Sequence, residues 1–360
     1  MLRKKLELKI EEDKRISFSD YMEMILFDKE YGFYEREQVF GKEGHYITSP
    51  LVSEHFSQCI AKNFIEVYKQ EKLKNIIEYG AGNAKLALDL IQYLKNRQTL
   101  PTKYYFFEKS SRLINEQKMA VKELELDDAI DFVWVNKYED LPKEAFIIAN
   151  ELFDCIPTDL IMYKDNHYYK AYIDETFKIS WHKYDFLSQT SSRYLSLPNK
   201  LEDKYIFEFS LGQYEIIKNI TRYIDKAYFV IFDYGYSADE LYIKDRISGT
   251  VTCINNHISD FDPLKHMGQK DVSSFVNFSY LKNILESKKW DINAFMSQAN
   301  YLLSFDILRD INIDNLDEVG AVKKLIMPNQ MGEIFKVLIS QKGINKISDK
   351  NFSKNDIIKL

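Results

Sequence analysis

The segment Asn75-Ile-Ile-Glu-Tyr-Gly-Ala-Gly-Asn-Ala-Lys-Leu-Ala-Leu-Asp89 constrains this chain more than any other. A short apolar run ends in a glycine turn, and a helical period starts at once. Ala87, Leu90, Ile91 and Leu94 share one face of a helix predicted over 84–96. Strand, glycine turn and helix in that order open the nucleotide site of doubly wound folds. Gly80 and Gly82 place no Cβ between the backbone and a ligand. A dinucleotide fingerprint needs another glycine three positions after its second; this chain has Lys85 there. Glu78, just before the turn, fits poorly beside a diphosphate. It suits a ligand with positive charge, such as a sulfonium or an amino group.

Further short apolar runs at 104–107, 130–135 and 145–149, with helical segments between them, predict a parallel sheet. Ahead of them, 17–27 reads as a helix capped by Ser17 or Ser19. A turn-rich loop spans 31–50, and a long helix follows Pro50. The run 160–184 alternates around the turn Lys164-Asp-Asn-His167, which predicts inserted antiparallel strands. A helix is expected over 213–225 and strands at 227–232, 250–254 and 334–340. The stretch 278–305 reads mainly helical. The expected organisation is an N-terminal helical segment over 1–70. An α/β core over 71–360 follows, with insertions at about 158–205 and 255–330.

Composition narrows the class. A net charge of −6 on 360 residues argues against a general nucleic-acid binder. No run approaches the length of a membrane span, and residues 1–15 resemble no signal or transit peptide. The three cysteines, Cys59, Cys155 and Cys253, lie far apart, which suits a reducing compartment. The six histidines have no metal-ligand spacing, so no metal site is expected.

Three strand ends carry chemistry. Glu108 ends the second strand, where an acid accepts hydrogen bonds from ribose hydroxyls. The run Ile147-Ile-Ala-Asn-Glu-Leu-Phe-Asp-Cys-Ile-Pro157 places Asn150, Glu151 and Asp154 directly after an apolar strand. If Glu151 begins a helical turn, Asp154 at i+3 shares its face. Paired carboxylates there can hold a cationic group and accept a proton from an attacking nitrogen, or simply stabilise a helix start. Asp233-Tyr-Gly-Tyr236 is a third strand end, read as an aspartate turn. His257 stands alone and reads as structural.

The Glu78-Tyr-Gly-Ala-Gly82 pattern looks like motif I of S-adenosylmethionine-dependent methyltransferases. More specific elements accompany it in order: Tyr31-Gly-Phe-Tyr34, Gly41-x-x-Gly44 with Ile47-Thr-Ser-Pro50, Glu108-x-Ser110, Ala149-Asn-Glu-Leu-Phe-Asp-Cys-Ile-Pro157, Asp233-Tyr-Gly-Tyr236, Asp262-Pro-Leu264, Gly268-x-x-Asp271 with Val276-Asn-Phe278, and Met331-Gly-Glu-Ile-Phe-Lys-Val-Leu338. Together they resemble the MidA-like methyltransferases, a family that includes a mitochondrial complex I assembly factor associated with protein arginine methylation. The likeness spans most of the chain. It departs at His45, Leu51, Ser57, Gln58, Ala84, Ile254 and Phe275, where the family tends to have Asp, Glu, Gly, Glu, Gly, Tyr and His.

The resemblance implies a Rossmann-like methyltransferase core with S-adenosyl-L-methionine over the Gly80–Gly82 turn. Glu78 and Asn83 would lie near it, Glu108 and Ser110 at the ribose, and Thr48 and Pro50 in a covering loop. Asn150, Glu151 and Asp154 would face the acceptor, a protein arginine. A protein substrate is thus the implied partner, with a homodimer as a candidate assembly. The expected location is a bacterial cytoplasm, or a mitochondrial matrix if the source is organellar. Two rival readings are an assembly protein of the same fold without turnover and a nucleotide-dependent oxidoreductase. Lys85 and Glu78 argue against the second.

Overall fold

Strands that are apolar on both faces need cover on both faces. The computed structural model describes residues 1–35, 48–124, 130–255, 258–347, 352 and 355–360. Gly41, Gly44, His45, Ile47 and His257 lie outside the described residues. The chain divides into two compact units, Met1–Tyr46 with Phe153–Ile217 and Tyr236–Ile284, and Ile47–Leu152 with Lys218–Gly235 and Leu285–Leu360.

The second unit is built on seven strands: β1 (Asn75–Tyr79), β2 (Lys103–Phe107), β3 (Asp131–Val135), β4 (Glu144–Asn150), β5 (Lys226–Tyr236), β6 (Asp291–Ser297) and β7 (Phe335–Lys342). Their order is β3-β2-β1-β4-β5-β7-β6. The five strands from β3 to β5 run parallel, and β7 is antiparallel to both β5 and β6. Strand order reverses between β1 and β4, so a ligand crevice is expected at their carboxyl ends. One face of this sheet, with Tyr104, Phe146, Ile148, Val230 and Phe232, packs against Phe56, Phe64, Ala87 and Leu90. Those four come from the helices Glu54–Glu71 and Lys85–Asn96.

Two predicted helices differ from the structure. The helix after Pro50 is interrupted: Ser49–Val52 ends at an extended Ser53, whose side chain accepts the His55 N–H and caps Glu54–Glu71. The stretch 278–305 contains β6 between the helices Phe278–Ser287 and Gln298–Ser304. Lys289 in the left-handed region breaks the helical run, and pairing with β7 outweighs local periodicity. The helix Leu2–Asp13 was hidden by its charges; Leu2, Leu6 and Ile10 form its narrow buried stripe.

The first unit carries a five-stranded sheet of Arg15–Ser17, Asp159–Lys164, His167–Asp174, Ile179–Lys183 and Tyr205–Phe209. Its pairings are antiparallel, and left-handed Asp165 and Asn166 make the predicted hairpin turn. A second sheet joins Thr252–Asn255, Ile258–Asp260 and Asp271–Ser273. Ser17 caps the predicted helix, Phe18–Phe27, by accepting from the Asp20 N–H.

Candidate cofactor and acceptor residues

The glycine turn after β1 has the backbone form that the sequence requires. Gly80 and Gly82 have φ of 69° and 53°, a region costly for residues with a Cβ. Ala84 is also left-handed, at 65°. The turn is closed by the Ala84 N–H donating to the Ala81 carbonyl at 2.9 Å. Asn83 Oδ1 accepts the Lys85 N–H at 3.2 Å, one of the free donors that open the helix Lys85–Asn96. Lys85 itself pairs with Asp89 along the helix.

Glu78 is buried, and its Oε2 accepts the Tyr104 hydroxyl at 2.6 Å. Burial pushes its carboxyl up to about 7; the Tyr104 bond opposes this and the charge of Glu108 adds to it. Glu108, just past β2, is also buried. Its Oε1 accepts the Lys109 and Ser110 N–H groups at 2.8 and 3.0 Å. The Ser110 hydroxyl caps the helix Ser111–Lys122 by accepting from the Leu113 N–H. One residue absent from the sequence reading joins them. Gln117 Nε2 donates to the Gly82 carbonyl at 2.9 Å and to Glu108 Oε2 at 3.4 Å.

At the end of β4, Glu151 is left-handed with φ 51°. The surroundings hold it there: its N–H donates to the Phe232 carbonyl at 2.9 Å, and the Leu152 N–H donates to Asp233 Oδ2 at 3.1 Å. Such strain in a non-glycine residue often marks functional segments. Glu151 Oε1 accepts the Ser49 N–H at 3.1 Å and the Asn150 side-chain amide at 3.2 Å. The segment Thr48-Ser-Pro50 thus lies against the Glu151 carboxylate, with Ser49 and Pro50 buried. The Ser49 hydroxyl donates to Gln298 Oε1 at 3.0 Å, and Gln298 Nε2 donates to the Leu325 carbonyl at 3.0 Å. Gln298, fully buried, is a second residue that the sequence reading missed.

Two expectations for these strand ends are corrected. Residues 151–158 are a series of bends, not a helix, because left-handed Glu151 turns the chain out of the helical path. The i+3 argument for Asp154 therefore does not apply. Asp233 is no turn residue either. It lies within β5, fully buried, with Oδ1 accepting the Tyr234 N–H at 2.9 Å.

Asp154 belongs to the first unit, where its carbonyl accepts the Ser274 N–H at 3.0 Å. Asp271 is buried in the same unit and accepts the Tyr34 hydroxyl at 3.0 Å. Burial, and then the charge of Asp154, push the Asp271 carboxyl up to about 7. Tyr34 and Asp271 stood in the resemblance motifs but without a role. Of the departures, Ile254 is the strand partner of Asp271, and Phe275 packs on the Tyr236 ring at 5.5 Å. The Arg246 guanidinium lies 4.3 Å from the centre of that Tyr236 ring.

A family described as "Putative S-adenosyl-L-methionine-dependent methyltransferase" matches residues 59–296. The chain belongs to this family. S-adenosyl-L-methionine is accordingly its cofactor. A protein of Burkholderia thailandensis, solved with S-adenosyl-homocysteine bound, superposes with a TM-score of 0.89 at 25% identity, over 98% of this chain and 95% of its own. The Drosophila melanogaster protein arginine methyltransferase NDUFAF7 homolog, mitochondrial, is 24% identical over 80% of this chain and 70% of its own length. The Bos taurus mitochondrial protein arginine methyltransferase NDUFAF7 is 22% identical over 92% of this chain and 81% of its own.

The residues of the methyltransferase's second unit fit that cofactor. The left-handed glycine turn and the buried Glu108 stand at adjacent carboxyl ends of β1 and β2. Asn150 Oδ1, at the end of β4, is buried with no hydrogen-bond partner among the described residues. An unpaired buried oxygen is costly, and a polar ligand would satisfy it. No described helix is long and apolar enough to cross a membrane.

Proposed function

We propose that this methyltransferase acts on protein arginine side chains. The observation that carries the reading is the carboxylate of Glu151, fixed at the end of β4 by a strained backbone and by the Ser49 and Asn150 donors. The names of the relatives support arginine as the acceptor. A guanidinium stays charged in water and is a poor nucleophile. A fixed carboxylate orients it through two parallel N–H···O bonds and localises its charge on one nitrogen.

The cofactor supplies an electrophilic methyl group on a sulfonium. Gly80, Gly82 and Asn83 let the backbone approach it, Glu108 takes the ribose hydroxyls, and Ser110 holds the Glu108 loop. Glu78 faces its cationic end, which favours the ionised carboxyl. Thr48 and Pro50 cover the cofactor and exclude water. Asn150 and Glu151 orient the guanidinium. Glu151 would take the proton that the guanidinium nitrogen gives up on methylation. Most of the rate enhancement is positioning. The acceptor protein is sought in a bacterial cytoplasm or a mitochondrial matrix.

The test incubates purified protein with methyl-labelled S-adenosyl-L-methionine and a protein extract, and locates the label by mass spectrometry. Label on arginine is expected, with a loss of about a hundredfold in Glu151→Gln despite intact cofactor binding. Full turnover by Glu151→Gln would remove Glu151 from the mechanism. Cofactor binding with no transfer to any protein would favour an assembly role.

A further inference from the structure

The helix Ser111–Lys122 buries two side chains, Leu113 and Gln117. They stand four residues apart, on the stripe that a surface helix gives to apolar groups. Gln117 is 0% exposed, so a full amide occupies a core position. Its Oε1 accepts the Trp134 indole N–H at 3.0 Å. An indole can only donate, so this bond decides which end of the amide is oxygen. Nε2 is therefore directed at the Gly82 carbonyl, 2.9 Å away, and at Glu108 Oε2, 3.4 Å away. The Lys109 and Ser110 N–H groups hold the other Glu108 oxygen. Both oxygens of the carboxylate are thus held, one by its own loop and one by Gln117.

We infer that Gln117 is a positioning residue for the cofactor's ribose: it ties the Gly82 carbonyl to Glu108 and sets the carboxylate that the ribose hydroxyls meet. The inference rests on reading Glu108 as the ribose ligand. If Gln117 merely filled the core, methionine of similar length would replace it without preference among ligands.

The experiment is calorimetric titration of the full chain with S-adenosyl-homocysteine and with its 2′,3′-dideoxy form. The variants are Gln117→Met, Trp134→Phe, Glu108→Ala and Gln117→Met with Glu108→Ala. In Gln117→Met the preference for the natural ribose should fall about tenfold, the scale of one hydrogen bond to a charged group. Trp134→Phe should change it in the same direction by less, and it serves if Gln117→Met fails to fold. In the Glu108→Ala background, Gln117→Met should change the preference no further. An unchanged preference in both Gln117→Met and Trp134→Phe, or equal losses for the two ligands, would overturn the inference while leaving the ribose reading intact. A wild-type preference in Glu108→Ala would overturn both.

Discussion

Each unit buries a carboxyl pushed up to about 7, Glu78 in the second and Asp271 in the first, and desolvation is the main cause in both. Each accepts a tyrosine hydroxyl. The difference is in how they are assembled. Glu78 and Tyr104 are 26 residues apart, on adjacent parallel strands within one motif-bearing stretch. Tyr34 and Asp271 are 237 residues apart, and Asp154 comes from a third segment. A site folded from consecutive strands announces itself in the sequence. A site assembled from distant segments announces its residues but not their partnership.

The largest effect is expected where the strained turn after β4 is held. Asp233→Ala removes the acceptor of the Leu152 and Tyr234 N–H groups in a fully buried place. It should cost about 3 kcal/mol in urea unfolding, the scale of stranded buried donors. Methyl transfer should fall with it as Glu151 leaves its left-handed conformation. Wild-type stability with lost activity would instead mark Asp233 as chemical rather than structural.

The two buried acids can be compared by pH. An acid whose carboxyl is raised on folding keeps a proton that the unfolded chain releases. Stability therefore falls as pH rises from the ordinary carboxylate range to about 7, and levels off above it. By this arithmetic Glu78 accounts for roughly 3 kcal/mol and Asp271 for roughly 4 kcal/mol. Glu78→Gln and Asp271→Asn should each make the melting-temperature profile less steep between pH 4 and pH 7. A slope unchanged in either variant would show that its carboxyl titrates normally.

Smaller effects test the supports. Gln298→Met removes the acceptor of the Ser49 hydroxyl and the donor to the Leu325 carbonyl. It should cost about 2 kcal/mol and speed hydrogen exchange at the Ser49 amide, which donates to Glu151. Unchanged exchange would separate Gln298 from the Glu151 carboxylate. The smallest is Ala84→Gly. Ala84 has φ 65° where the resembling family has glycine, so the substitution should stabilise by about 1 kcal/mol. A loss of stability in urea unfolding would contradict the strain.

These contrasts also explain what could be read in advance. The glycine turn, β1, β2 and β4 were legible because apolar runs and turn residues are local signals. β6 was misread as helix because its strand pairing with β7 is not local. Gln117 was missed because a polar residue on a helix reads as solvent-facing until its burial is known. Asn150 and Glu151 were found at a strand end, but the helical argument for Asp154 failed once Glu151 proved left-handed. The bond from Ser49 to Glu151 bridges residues 102 apart, and no sequence period records it.

The most direct test of the central claim is calorimetric titration with S-adenosyl-L-methionine, with NAD as control, on the wild type and on Gly82→Arg. Binding of S-adenosyl-L-methionine alone, by the wild type alone, is the predicted result. Equal binding by a well-folded Gly82→Arg would contradict the placement of the cofactor at the glycine turn.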